Sequence, residues 1–297
     1  MYLAGVSTLR WVGALLGGGT LACAAVAAHA VREEQSSSAA THYDVARPSG
    51  DPWFESARSL DLRTPKGVVF RGWLRPSTNG AAVVLVDGSA ADRRQLLPEA
   101  HILSNAGYGV LVFDRPGNGE SGGLRGRGDE ADFLRIAVDT LASEPGPPSG
   151  GIGGYGFSSG AAFLAEAAAR DTRLASVVLV GCYDDAHDYI VHFHGRDPVS
   201  GFSRLVWSEW AGFVLPQPVV RVPAIAPRAL FLIAGDEDPV VPPDLSKRVY
   251  SAATEPKELW VVHGAGHGDY EKVAGEEFSR RLVGFFDRTL LGRSGSR

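Results

Sequence analysis

A chain of 297 residues that is 44% hydrophobic can bury one substantial core, so a single folded domain with an N-terminal appendage is the expected organisation. A formal net charge of −5, with no dense basic run, argues against a nucleic-acid partner. The two cysteines, Cys23 and Cys182, stand far apart, which excludes a disulfide framework and a cysteine-based zinc spacing.

Trp11 to Val31 carries no formal charge, and Arg10 is the one basic residue before it. A bilayer is spanned by about 20 helical residues, so residues 1–31 are expected to form a transmembrane anchor. The same stretch reads alternatively as a signal peptide, with Ala28-His29-Ala30 as a small-x-small cleavage site. With Arg10 retained inside, the remainder lies outside the cytoplasm. The expected location is therefore the cell membrane, single-pass, with the folded domain extracytoplasmic; the alternative is secretion after cleavage near Ala30.

Residues 32–58 turn polar, with Gln35-Ser36-Ser37-Ser38-Ala39-Ala40 and then Pro48-Ser49-Gly50-Asp51-Pro52, which predicts a flexible tether. The folded domain follows over 59–292, leaving a short tail at 293–297. Leu60 to Arg63 and Val68 to Leu74 read as two strands joined at Pro65-Lys66-Gly67. Ala81 to Val86 and Gly109 to Phe113 are continuous apolar runs of strand length, the pattern of strands buried on both faces. A helix over Leu96 to Ala106 separates them. The loop Asp114 to Gly123 comes next, followed by a helix from about Asp129 to Ser143. A strand then runs into Ser158, and a helix covers Ala161 to Arg170. Ala175 to Gly181 predicts a sixth strand. Residues 183–227 break the rhythm with Pro, Gly and aromatics and read as an insert. Strands at Ala229 to Ala234 and Glu258 to Val262 flank a helix over Asp244 to Ala253. A terminal helix over Glu271 to Leu290 puts Phe278, Leu282, Phe285 and Phe286 on one face. Strands alternating with helices predict an α/β fold: a mostly parallel eight-stranded sheet with helices on both faces.

The chemistry centres on Gly156-Phe157-Ser158-Ser159-Gly160. A serine at the apex of a strand–turn–helix needs a main chain without bulk beside it, hence glycine at 156 and 160. Such a turn lifts Oγ clear of the sheet. It also aims the first helical N–H groups, starting at Ser159, at any oxyanion formed there. Serine is a poor nucleophile unless an imidazole takes its proton, and the imidazole needs a carboxylate to fix its tautomer. His267, between glycines in the loop after the last strand, is favoured over His263, His192 and His194. The acid comes from Asp236, Glu237 and Asp238 in one turn, or from Asp184 and Asp185 after the sixth strand. Asp238, placed before Pro239, is the choice.

Four segments in this order carry a family resemblance: Gly156 to Gly160, the loop Phe113 to Ser121, the turn Gly235 to Pro242 and the loop Gly264 to Asp269. From about Leu60 to Leu291 the chain resembles the α/β-hydrolase-fold serine hydrolases, nearest to the bacterial BEM46-like and S9/S33 peptidase-like groups. The resemblance implies Ser158 as nucleophile, Asp238 as acid and His267 as base. It also implies the Ser159 and Ser89 N–H groups as oxyanion hole, with no cofactor and no metal. Members of that family usually carry His-Gly where this chain has Asp87-Gly88. An anionic side chain there opposes the oxyanion unless it points away and caps the following turn.

The insert 183–227 falls where such folds place a lid. Tyr183, Tyr189, Phe193, Phe202, Trp207, Trp210 and Phe213 would roof the serine with apolar surface or pack the lid onto the body. The former favours a small-molecule acyl substrate of apolar character. The implied activity is cleavage of a carboxylic ester through an acyl-enzyme at Ser158. Peptidase or thioesterase turnover on the same triad is the alternative, and a non-catalytic binding domain with the same fold is a different class.

Overall fold

The computed structural model describes residues 43–89, 91–123, 130–144, 148–186 and 216–293, with backbone alone at 130 and 131. Eight strands form one sheet: β1 (Arg58–Arg63), β2 (Val69–Arg75), β3 (Ala81–Val86), β4 (Gly109–Phe113), β5 (Gly151–Phe157), β6 (Leu174–Val180), β7 (Ala229–Gly235) and β8 (Lys257–Val262). Their order across the sheet is β1-β2-β4-β3-β5-β6-β7-β8. Pairing is antiparallel for β1 with β2 and for β2 with β4, and parallel from β4 onward. This is the α/β architecture expected from the alternation of strands and helices.

The side-chain period of two assigns each central strand to two cores at once. Val83 and Leu85 of β3 join Val110 and Val112 of β4 on one face, where α1 (Leu97–Asn105) and the long terminal helix pack with Leu103, Phe278, Phe285 and Phe286. Val84 and Val86 join Leu111 and Phe113 on the other. There α2 (Glu130–Ala142) and α3 (Ser159–Arg170) close over them with Phe133, Leu134, Ala161 and Leu164. A fully buried Leu, Val or Phe contributes about 1.5–3 kcal/mol. A surface ion pair such as Lys247–Asp244 contributes about 0–1 kcal/mol. The two apolar layers, not the surface charges, hold the sheet that presents the site.

After β6, α4 (Pro218–Arg221) leads to β7, and α5 (Pro243–Ala252) connects β7 to β8. The terminal helix, expected as one piece over Glu271 to Leu290, is two: α6 (Tyr270–Ala274) and α7 (Glu276–Leu290). Gly275 separates them at φ 56° and ψ −127°, a conformation that interrupts the helical ladder and suits glycine. The apolar face of Phe278, Leu282, Phe285 and Phe286 stands as expected, all four buried.

Three other expectations meet the structure differently. The tether predicted over 32–58 is packed onto the domain from residue 43. The Tyr43 hydroxyl bonds Asp92 at 2.8 Å, and Val45 and Trp53 are buried. Trp53 also donates its indole N–H to Ser104 at 3.0 Å, and Pro52–Glu55 forms a single turn capped by Asp51. An indole with both an apolar pocket and a hydrogen-bond partner outweighs the polar composition around it. The membrane anchor and the membrane location, with secretion as its alternative, are not upheld. Among the described residues no helix is long and apolar enough to cross a membrane, and Trp11 to Val31 lies outside them. Of the expected lid, Tyr189, Phe193, Phe202, Trp207, Trp210 and Phe213 also lie outside the described residues. Tyr183 is buried against Ala162, Ala186, Val241 and Leu245.

Candidate active site

At the end of β5 the chain turns sharply through Ser158, at φ 55° and ψ −125°, the one non-glycine residue with positive φ among those described. A side chain held there costs on the order of 1–3 kcal/mol, so the surroundings must over-determine it. They do. Ser158 N–H is fixed to Val180 O at 2.8 Å, and Ala161 N–H to Ser158 O at 3.0 Å. Gly160 presses onto the end of β3 so closely that a Cβ there would sit 2.2 Å from Asp87 O and 2.4 Å from Val86 O. Ser158 heads α3 without spending its hydroxyl on a cap. Its Oγ meets His267 Nε2 at 3.0 Å instead.

The partners arrive from the carboxyl ends of β7 and β8, as an open parallel sheet requires. Asp238, three residues past β7, has no exposed side-chain surface, and its Oδ1 accepts from the N–H groups of Val240 and Val241 at 2.8 Å each. Oδ2 lies 2.7 Å from His267 Nδ1 and also accepts from the Tyr270 hydroxyl at 2.6 Å. Nδ1 therefore carries the imidazole proton, and Nε2 faces the serine as an acceptor. Burial alone would raise the Asp238 carboxyl. The bonds from His267, Tyr270 and Val241 outweigh it and hold the group below the usual aspartate range. The Phe157 ring, 4.9 Å from the imidazole centroid, supports His267 from below.

Two of the other candidate acids are paired elsewhere. Asp236 accepts from Gly264 N–H at 2.7 Å and pairs with the exposed His263 at 2.5 Å. Glu237 is exposed, and Asp184 pairs with Arg248 at 2.7 Å. His192 and His194 lie outside the described residues. Ser89 and Ser159 come together, Oγ to Oγ at 2.8 Å, beside the elbow. Ser159 opens α3, where the first-turn N–H groups have no acceptor within the helix. Among the described residues no three His, Cys, Asp or Glu side chains are grouped to hold a metal ion.

Asp87 does not cap the turn that follows it. Gln95 Oε1 takes Gly88 N–H at 2.8 Å, while the Asp87 side chain is buried against Arg115, Oδ1 to Nε at 3.1 Å. Burial pushes the Asp87 carboxyl up to about 7 against the pull of the guanidinium. The sequence reading missed Arg115 and Tyr270. Tyr270, three residues after His267, carries the one weak signal, a hydroxyl-bearing aromatic directly after the histidine loop. Arg115 carries none beyond its place in a glycine-rich loop. That loop is held by Arg93, which is buried to 4% side-chain exposure and pairs with both Asp114 and Glu120.

No family model matches the chain. The Mycobacterium tuberculosis protein Rv2307c is 30% identical over 247 residues, covering 82% of this chain and 84% of that protein. Among solved structures, the Pyrococcus furiosus esterase Pf2001 is similar at a TM-score of 0.70 and 23% identity, over 84% of this chain and 97% of its own. The α/β hydrolase GrgF from Penicillium is similar at a TM-score of 0.67 and 21% identity, over 79% and 99%. With its sheet order and serine elbow already in view, the chain belongs to the family of the Mycobacterium tuberculosis protein and has the α/β-hydrolase fold.

Proposed function

We propose that this chain is a serine hydrolase that cleaves carboxylic esters of small, apolar molecules through an acyl-enzyme at Ser158. The observation that carries the reading is the unbroken relay from Ser158 Oγ to His267 Nε2 at 3.0 Å and from His267 Nδ1 to Asp238 Oδ2 at 2.7 Å. Ser158 Oγ attacks the acyl carbon as its proton passes to Nε2. Asp238, kept ionised by its donors, holds the imidazole tautomer and stabilises the imidazolium. The oxyanion is received by the N–H groups of Ser159 and Ser89. Collapse breaks the carbon–oxygen bond of the ester, and His267 returns the proton to the departing alcohol. Water, deprotonated by His267, then attacks the acyl-enzyme and releases the acid and free serine.

The esterase among the structural neighbours supports an ester over a thioester or peptide. The unit that carries this chemistry is 59–292, onto which residues 43–58 pack. A panel of p-nitrophenyl esters of increasing acyl length, with a thioester and a peptide anilide beside them, tests the reading in wild-type protein and Ser158→Ala. Ester turnover that disappears in the variant is the expected result. Turnover confined to the thioester or the anilide would reassign the leaving group.

A further inference from the structure

Three segments meet beside Ser158: the end of β3 at Asp87 to Ser89, the loop after β4 at Arg115, and the first residue of α3. We propose that Arg115, anchored by Asp87, is a positioning residue that locks together the two main-chain segments bearing the oxyanion donors. This rests on the hydrolase reading above and adds the device that aims its oxyanion hole.

The geometry is specific. Arg115 Nε donates to Asp87 Oδ1 at 3.1 Å, and Nη2 donates both to Gly88 O at 2.8 Å and to Ser159 Oγ at 3.0 Å. Gly88 O and Ser89 N–H belong to one planar trans peptide and point in opposite directions. A donor that grips the carbonyl therefore aims the N–H on the other side. The preceding peptide is pinned as well, because Gln95 Oε1 takes Gly88 N–H at 2.8 Å. Glycine between two peptide planes is otherwise the freest hinge the backbone has. Ser159, whose N–H is the second donor, is held through its hydroxyl by Arg115 and by Ser89 Oγ at 2.8 Å.

Asp87 makes this possible. The Nε–H of a guanidinium exposed by only 9% needs an acceptor, and the Asp87 carboxyl, with no exposed side-chain surface, supplies it at 3.1 Å. The planar fork serves two acceptors on one nitrogen and a carboxylate on another, which a lysine ammonium on its single stem cannot reproduce. The departure at Asp87 is thus part of a brace rather than a charge set against the oxyanion.

Arg115→Lys and Arg115→Gln test the lock, with kcat expressed per serine titrated by a fluorophosphonate burst. Losing one oxyanion donor outright costs on the order of 10²–10³ in kcat, so loosening two is expected to cost about 10- to 100-fold with KM within about twofold. Affinity for an ester-like trifluoromethyl ketone, which forms a hemiketal oxyanion on the serine, should fall in step with kcat. Ser159→Ala, which removes one acceptor of Arg115 and leaves the buried ion pair intact, should lower kcat about three- to tenfold in the same pattern. It decides the matter if the Arg115 variants do not fold. Unchanged kcat in folded Arg115 variants, or in Ser159→Ala where those do not fold, overturns the lock alone. A wild-type protein that neither turns over esters nor takes the fluorophosphonate overturns the hydrolase reading and the lock with it.

Discussion

Asp87 and Asp238 stand on opposite sides of one serine, and neither exposes any of its side chain. Asp238 is held below the usual aspartate range, while Asp87, the more deeply enclosed of the two, is pushed up to about 7. Depth accounts for part of the difference and the donors for the rest. Asp238 receives Val240 N–H, Val241 N–H, the imidazole and the Tyr270 hydroxyl, so both oxygens are satisfied. Asp87 is lowered by the Arg115 guanidinium at Oδ1 and by the Asn118 side chain, and together these fall short of offsetting its burial. Burial raises a carboxyl only as far as hydrogen bonding and charge fail to compensate it. One carboxyl is thereby held below the usual range behind His267, and the other pairs with Arg115.

The largest expected effect lies on the Asp238 side. His267→Ala removes the group that accepts the serine proton and should lower ester turnover by several orders of magnitude, on the scale of about 10⁶ for such a base. Asp238→Asn keeps the shape but invites the wrong imidazole tautomer, so a loss of about 10⁴ in kcat is expected. Asp236→Asn and Asp184→Asn, whose side chains serve His263 and Arg248, should retain most of the activity. A greater loss at Asp184 than at Asp238 would move the acid to the strand-six position.

Tyr270→Phe sharpens the contrast by taking one donor from Asp238. A hydrogen bond to a charged group is worth about 1.5–3 kcal/mol, so urea unfolding should show a loss within that range. Ester turnover should fall as well, with kcat affected more than KM. An unchanged unfolding midpoint would remove Tyr270 from the account.

The smallest effect is a slope. The folded-state value for Asp87, about 7, lies above its ordinary 3.8. The folded chain therefore holds a proton that the unfolded chain releases between those values, and this contribution to stability is lost as pH rises through the window. Glu99, also pushed up to about 7 by burial, acts with the same sign in both proteins and cancels in their comparison. Measured by urea unfolding, wild-type protein should lose stability relative to Asp87→Asn as pH rises from about 4 to about 7, and the difference should level off above that. Parallel pH profiles would refute the assignment. Asp238 has the opposite sign: its contribution is present above the ordinary value and is lost only as pH falls through the lowered one.

Much of this was open to a reading of residues in order. The eight strands are legible because the central ones are apolar on both faces, and the elbow because a serine at positive φ needs small neighbours at 156 and 160. The order Ser158, Asp238, His267 follows from strand ends. Arg115 was not legible, because its meaning depends on β4 lying beside β3 in the sheet, which brings it to an aspartate 28 positions earlier. Tyr270 lies near His267 in sequence, but which carboxylate it reaches is set by the turn after β7. The packing of residues 43–58 rests on Tyr43, Val45 and Trp53, three side chains that composition cannot weigh. The break at Gly275 follows from a single backbone conformation inside a pattern that is otherwise helical throughout.

The central claim is that one serine is made nucleophilic by the relay behind it. Intact-protein mass after treatment with a fluorophosphonate, followed by peptide mapping, measures that directly. One adduct per chain is expected, located on the peptide carrying Ser158 and absent from both Ser158→Ala and His267→Ala. Labelling at another residue, or an undiminished adduct in Ser158→Ala, would contradict the account.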